Sequence, residues 1–198
     1  MATEDLMLAS VGEEGDDPVL AWRDVFGNDN PVEVELGIGK GRFVIDAAQR
    51  HPDRNYIGIE RATKYLRLAH DRSLKRNLRN IRFARVDAQE FIEFFVAAES
   101  LRAIHLYFPD PWPKKRHHKR RLFQDELLRE VERTLEPGGY LWLATDHGGY
   151  FEVMREVLAG SDRFDAVELE WEGVQTNYEQ KYVSKGKSIH RRILRKSQ

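Results

Sequence analysis

One stretch gathers the residues best able to do chemistry: Leu106-Tyr-Phe-Pro-Asp-Pro-Trp-Pro-Lys-Lys-Arg-His-His-Lys-Arg-Arg121. An apolar run over 103–108 reads as a buried strand that stops at Pro109, and Asp110 then sits between two prolines. Proline fixes its own φ and restricts the residue before it, so this carboxylate is held in an extended, stiff turn at a strand's end. After Trp112 come Lys114, Lys115, Arg116, Lys119, Arg120 and Arg121, with His117 and His118, a run that no core could bury. A rigid acid, an aromatic plate and a cationic loop side by side point to nucleic-acid chemistry. The plainer reading is a strand followed by a solvated basic loop, since most charge runs are solvated faces. Trp112 reads either as a packing residue or as a plate for a base. The two histidines have no second ligand cluster, so no metal site is expected.

The elements that must hold this stretch alternate in type. Hydrophobic patterning predicts strands over 32–36, 55–60, 81–86, 101–108 and 140–145. Helices are predicted over 42–50, 62–78, 88–98, 123–135 and 149–159, with a turn at 137–139. Segments 164–171 and 189–195 alternate as strands do and form a closing antiparallel pair. Alternating β and α units imply a parallel sheet with helices on both faces, whose ligands bind at the carboxyl ends of the strands. Residues 1–17 carry six acids and no Lys or Arg and read as a flexible acidic leader. Residues 18–198 read as one domain, with Trp22 anchoring a short helix or arm over 19–26.

Composition narrows the classes. With no cysteine, disulfides, thiolate metal sites and a cysteine nucleophile are excluded, which fits a reducing cytoplasm. No apolar run approaches the roughly 20 residues of a membrane span, and no signal peptide is recognisable, so a cytoplasmic protein with no membrane partner is expected. No obligatory protein partner is evident either, and a monomer or a homodimer would fit. The formal net charge of -1 says nothing about nucleic acid. The cations, however, gather over 67–85, 114–121 and 181–196, and separated charge can make a positive face on a neutral chain.

Each predicted parallel strand ends in an acid or a glycine: Glu35 and Gly37, then Glu60, Asp87, Asp110 and Asp146. The topology brings all five carboxylates to one rim. A single such acid means little, because caps and turns use Asp freely, and Asp146 is as well placed to cap the next helix as to serve a site. The loop Gly37-x-Gly39-x-Gly41 has Arg at position 42, where the dinucleotide fingerprint wants glycine, and no phosphate-binding lysine loop is present. Glu60 lies 23 residues after Gly37, near the separation expected of a ribose-binding acid. Asp87 could accept from an adenine amino group. A carboxylate-rich rim suits a cation, and S-adenosylmethionine is a sulfonium.

Val34-Glu-Leu-Gly-Ile-Gly-Lys-Gly41, Gly58-Ile-Glu60, Tyr107-Phe-Pro-Asp-Pro-Trp112, Ala144-Thr-Asp146 and Thr176-Asn-Tyr-Glu179 occur in order and at sensible spacing. Together they resemble the bacterial tRNA (guanine-N7-)-methyltransferases, from about Trp22 to the C-terminus. The resemblance implies a Rossmann-like, S-adenosylmethionine-dependent methyltransferase fold. Its sheet would be seven-stranded and mostly parallel, with an antiparallel C-terminal strand. The implied activity is methylation of a guanine in the tRNA variable loop, at tRNA position 46. Glu35, Gly37, Gly39, Glu60, Asp87 and Asp110 correspond to cofactor contacts, and Asp110 also to the catalytic acid. Lys114, Asp146, Thr176, Asn177, Tyr178 and Glu179 correspond to substrate-binding positions. Lys115, Arg116, Lys119, Arg120 and Arg121 would be tRNA phosphate contacts. The short acidic leader departs from the longer basic extensions of many relatives. Two alternatives stand beside this reading: methylation of another RNA or a small molecule, and a non-catalytic RNA-binding module.

Overall fold

A computed structural model describes residues 7–8, 19–171 and 188–198. Seven strands form one sheet: β1 (Val32–Leu36), β2 (Asn55–Ile59), β3 (Ile81–Ala84), β4 (Leu101–Tyr107), β5 (Leu135–Thr145), β6 (Phe164–Ala166) and β7 (His190–Lys196). Their spatial order is β3-β2-β1-β4-β5-β7-β6. The first five run parallel, while β7 is antiparallel to both β5 and β6. The chain winds outward from β1 to β3, then crosses to β4 on the other side of β1. That makes the β1–β4 boundary the switch point, where the strand ends splay and leave a crevice.

β1, β2 and β3 are buried along their whole length because helices cover both faces. One core lies under α2 (Arg42–Arg50) and α3 (Thr63–Lys75), with Phe43, Val44, Leu66 and Ala69 against Ile81 and Phe83. The opposite core takes Phe91, Leu127, Val131, Tyr150 and Met154 from α4 (Ala88–Phe95), α5 (Asp125–Thr134) and α6 (Gly148–Ala159). The short α1 (Trp22–Phe26) joins this side, its Trp22 indole N–H donating to the Ser100 carbonyl at 3.1 Å. Leu8 N–H donates to Phe83 O at 2.9 Å, so residues 7–8 pair with the edge of β3, a departure from the flexible leader expected over 1–17. Among the described residues no helix is long and apolar enough to cross a membrane.

The architecture expected from the pattern is present, with two corrections. The turn at 137–139 does not precede a strand but bulges from the middle of one: Leu101 faces Leu135, yet Ala103 already faces Tyr140. Gly138, at φ +79°, makes the extra chain fit. The strand expected over 164–171 stops at Ala166 after pairing with β7. One more ladder bond follows, from Val167 N–H to Ile193 O at 3.0 Å. The chain then leaves the sheet, and Trp171 packs on Tyr107 and Trp142 at 5.3 and 5.4 Å between ring centroids.

Candidate active site at the switch point

A cleft of about 1180 Å³ opens at the carboxyl ends of the parallel strands. Glu35, Glu60, Asp87, Asp110 and Asp146 all line it, as do Gly37 and Gly39. Ligand pockets usually span about 300–1,000 Å³, so there is room for more than one small molecule.

Glu35 lies at the end of β1, 5% exposed, with Oε2 accepting from the Val44 N–H in the first turn of α2 at 3.1 Å. Burial pushes its carboxyl up to about 8; the Val44 N–H opposes this, and the Glu60 charge adds to it. At neutral pH this acid holds its proton. Glu60, just past β2, accepts from Gly39 N–H at 2.9 Å through Oε2 and from Ala62 N–H at 2.8 Å through Oε1. It thus ties the glycine loop to the approach of α3, and each oxygen keeps a lone pair for a ligand hydroxyl. Asp87 caps α4 by accepting from Gln89 N–H at 2.9 Å and pairs with Arg61 at 3.1 Å.

The three glycines divide their work. At Gly37 and Gly39 φ is positive, and an added Cβ would meet nothing within 4 Å, so these two leave open space at the lip of the cleft. At Gly41 a Cβ would lie 2.6 Å from Ala69 Cβ. That glycine serves the packing of α2 on α3.

Asp110 is exposed, and its loop is not simply extended: Phe108 and Trp112 adopt φ of +52° and +41°. Phe108, Asp110 and Trp112 each precede a proline, which disfavours the right-handed helical region for all three. The chain turns instead through two bulky residues in left-handed conformation, at a cost of about 1–3 kcal/mol each. Contacts hold the strain in place. Phe108 N–H donates to Ala144 O at 2.8 Å. The Trp112 ring has the Arg120 guanidinium over it at 5.1 Å and His117 against it edge-on at 5.6 Å. Trp112 therefore both packs within its own loop and lines the cleft.

The cationic run forms a 3-10 helix, Lys115–Arg120. Lys119, Arg120 and Arg121 line the cleft, whereas Lys114, Lys115 and Arg116 are exposed outside its lining. Contrary to the expectation that no core could bury this run, Arg121 is 7% exposed. Its Nε donates to Pro111 O at 2.8 Å, and its guanidinium stacks on Tyr150 at 4.9 Å. Burial pushes the Tyr150 hydroxyl up; the Phe123 N–H and the Arg121 charge pull it down, while Asp110 pushes it up. The N-cap of α6 is His147, the residue after Asp146, with Nδ1 accepting from Tyr150 N–H at 3.1 Å. Thr176, Asn177, Tyr178 and Glu179 lie outside the described residues.

Sequence reasoning missed a buried network between β1 and β4. Glu33 accepts from Arg54 at 3.0 Å and pairs with His105 Nε2 at 2.9 Å, while His105 Nδ1 meets the Tyr107 hydroxyl at 2.8 Å. Burial pushes Glu33 up, but hydrogen bonds and charge from His105 and Arg54 outweigh it and hold the carboxyl below its usual range. The available signal was a second glutamate two positions before Glu35 in a fully buried strand.

A family model described as "Putative methyltransferase" matches residues 29–192. The chain belongs to this methyltransferase family. Solved structures of similar fold include the 16S rRNA methyltransferase KamB, 14% identical, with 89% of this chain and 93% of that one covered and a TM-score of 0.64. An rRNA methylase from Streptococcus thermophilus is 15% identical, covering 86% and 89%, at 0.59. Phosphoethanolamine N-methyltransferase 2 of Haemonchus contortus, in complex with S-adenosyl-L-methionine, is 13% identical, covering 89% and 51%, at 0.57. These neighbours share the Rossmann-like methyltransferase fold, and the last of them binds S-adenosyl-L-methionine.

The residues present fit that cofactor. Gly37 and Gly39 leave space for close approach of a ligand to backbone, and Glu60 has acceptor capacity for a ribose diol. Glu35 faces the same cleft, where a nearby sulfonium or ammonium would draw its proton off.

Proposed function

We propose that this methyltransferase modifies N7 of a guanine in tRNA, at position 46 of the variable loop. The observation that carries the reading is a juxtaposition. Asp110, on a strained loop at the β4 end, shares one cleft with the cofactor-type acids of β1 and β2 and with the cations Lys119 and Arg120. The cleft is roomy enough for a nucleoside beside a cofactor, and the exposed cations on its border suit phosphates. The tRNA-specific part rests on the motif resemblance. RNA as the substrate class is in keeping with two of the structural neighbours, which are rRNA methyltransferases.

The chemistry asks little of acid–base groups. Guanine N7 carries an in-plane lone pair and no proton. When bound, S-adenosylmethionine supplies an activated methyl group for an in-line displacement. The chain's own task is to bring N7 into line and to stabilise charge. Positioning can be worth about 7–11 kcal/mol at best. Asp110 is suited to accept from the guanine N1–H and 2-amino group, which fixes the identity and orientation of the base. Its negative charge also favours a ring that becomes cationic. Glu60 orients the cofactor through its ribose, and Asp87 through its adenine.

The decisive experiment incubates the protein with unmodified tRNA and methyl-labelled S-adenosylmethionine, followed by nucleoside mapping. Label in N7-methylguanosine at position 46 is expected; label elsewhere, or in no RNA, overturns the assignment. Asp110→Ala should lose at least a hundredfold in turnover while its calorimetric affinity for the cofactor stays within a fewfold. An unimpaired rate would remove Asp110 from its role.

A further inference from the structure

Of the cations between 114 and 121, Arg121 alone is buried. Its planar group is used on one face and one edge. One face lies on the Tyr150 ring at 4.9 Å, and the Nε–H reaches the carbonyl of Pro111, the residue next to Asp110, at 2.8 Å. Tyr150 is itself fixed. Its hydroxyl accepts from Phe123 N–H at 3.0 Å, and its own N–H is taken by His147 at the start of α6. The Arg121 carbonyl accepts from Gln124 Nε2 at 2.5 Å, so its backbone is held as well. A continuous set of contacts therefore runs from the end of α6 that follows Asp146, through Tyr150 and Arg121, to the loop that carries Asp110. That loop needs such a hold, because Phe108 and Trp112 sit in left-handed conformations on either side of the acid.

We infer that Arg121 is a positioning residue: braced on Tyr150, it grips the Pro111 carbonyl, sets where the Asp110 carboxylate stands, and does not contact phosphate. This rests on the proposed reading of the cleft as a site of tRNA methylation. A phosphate contact is best served by donors open to water, and Arg121, in the wall of the cleft, is only 7% exposed. The two roles also differ in their tolerance of lysine. A lysine can replace arginine as a point charge toward phosphate, but it has neither the planar face nor the fixed Nε–H.

The test uses the full chain with Arg121→Lys and Arg121→Met, the latter keeping the stem's packing without a donor. Two measurements are made. Hydrogen exchange of peptides spanning 107–113, without tRNA, should quicken by roughly tenfold or more in both variants. Single-turnover methyl transfer at saturating tRNA should fall by roughly 10–100-fold, as expected when a reacting group is misplaced by about 1 Å. The tRNA Kd and its salt slope should stay within about twofold of the parent. Cofactor-induced thermal stabilisation reports that each variant is folded, and if Arg121→Met is not, Arg121→Lys carries the test. Unchanged loop exchange would overturn the inference. So would a weakened Kd with a salt slope smaller by about one and full rate at saturation, which is the behaviour of a phosphate contact. If the parent protein leaves guanine N7 unmodified, the functional reading fails on its own, and loop exchange still decides whether Arg121 holds the loop.

Discussion

Replacing the second and third glycines of the β1–α2 loop by alanine should give two different defects from one chemical change. Gly41 has φ +70°, and an added Cβ would sit 2.6 Å from Ala69 Cβ and 3.1 Å from Ile45 Cδ1. An L-residue in left-handed conformation costs about 1–2 kcal/mol. Forcing a methyl into packed helices adds about 1–3 kcal/mol. Gly41→Ala should therefore lose about 2–5 kcal/mol of stability, or roughly 4–20 °C in Tm for a chain of this size. Gly39 has φ +51°, and its Cβ would meet nothing within 4 Å. Gly39→Ala should lose only the conformational cost of about 1–2 kcal/mol. Its new methyl, however, protrudes beside the N–H that Glu60 holds, and the Kd for S-adenosylmethionine should rise at least about tenfold, or about 1.4 kcal/mol. Urea denaturation of the free proteins gives the first quantity and calorimetric titration the second. Equal loss of stability in the two variants, with parental cofactor affinity in Gly39→Ala, would refute the division of the loop into a binding glycine and a packing glycine.

Two further predictions concern charge. Because the folded protein raises the Glu35 carboxyl from 4.5 to about 8, it retains a proton that the unfolded chain releases. The stability this contributes is full below about pH 4.5 and is lost as pH rises to about 8, a fall on the order of 4 kcal/mol for the free protein. Glu35→Gln should flatten that decline in a denaturation series, and an unchanged decline in the variant would be decisive against it. Lys114, Lys115, Arg116, Lys119 and Arg120 are exposed on the turn beside the cleft. Binding of tRNA should therefore weaken with salt at a log–log slope of up to roughly −4, becoming shallower as these residues are neutralised. A flat salt response would exclude them from the interface.

Much of the site was legible because its signals are local. Each parallel strand is a short apolar run, and the acid or glycine that ends it is its neighbour in sequence. Once the βα alternation set the topology, Glu35, Glu60, Asp87, Asp110 and Asp146 had to meet. What escaped depends on partners distant in the chain. Gly39 and Gly41 look alike until Ala69 is brought against one of them. Arg121 reads as one more surface cation until Tyr150 is placed beneath it. Glu33 and His105 are 72 positions apart and meet only through the pairing of β1 with β4. The left-handed Phe108 and Trp112 leave a trace in the alternation of prolines, which signals stiffness and also disfavours the ordinary way of turning.

The place of β7 has a consequence for how the molecule is made. It is threaded between β5 and β6, both of which leave the ribosome before it. Until residues 190–196 emerge, the outer margin of β5 presents bare amides and carbonyls, and the three-residue β6 has nothing to join. The nascent chain thus passes through a stage with its switch-point crevice outlined and its sheet unfinished. An unpaired margin of that kind is a template for illicit strand pairing, which the arrival of β7 removes.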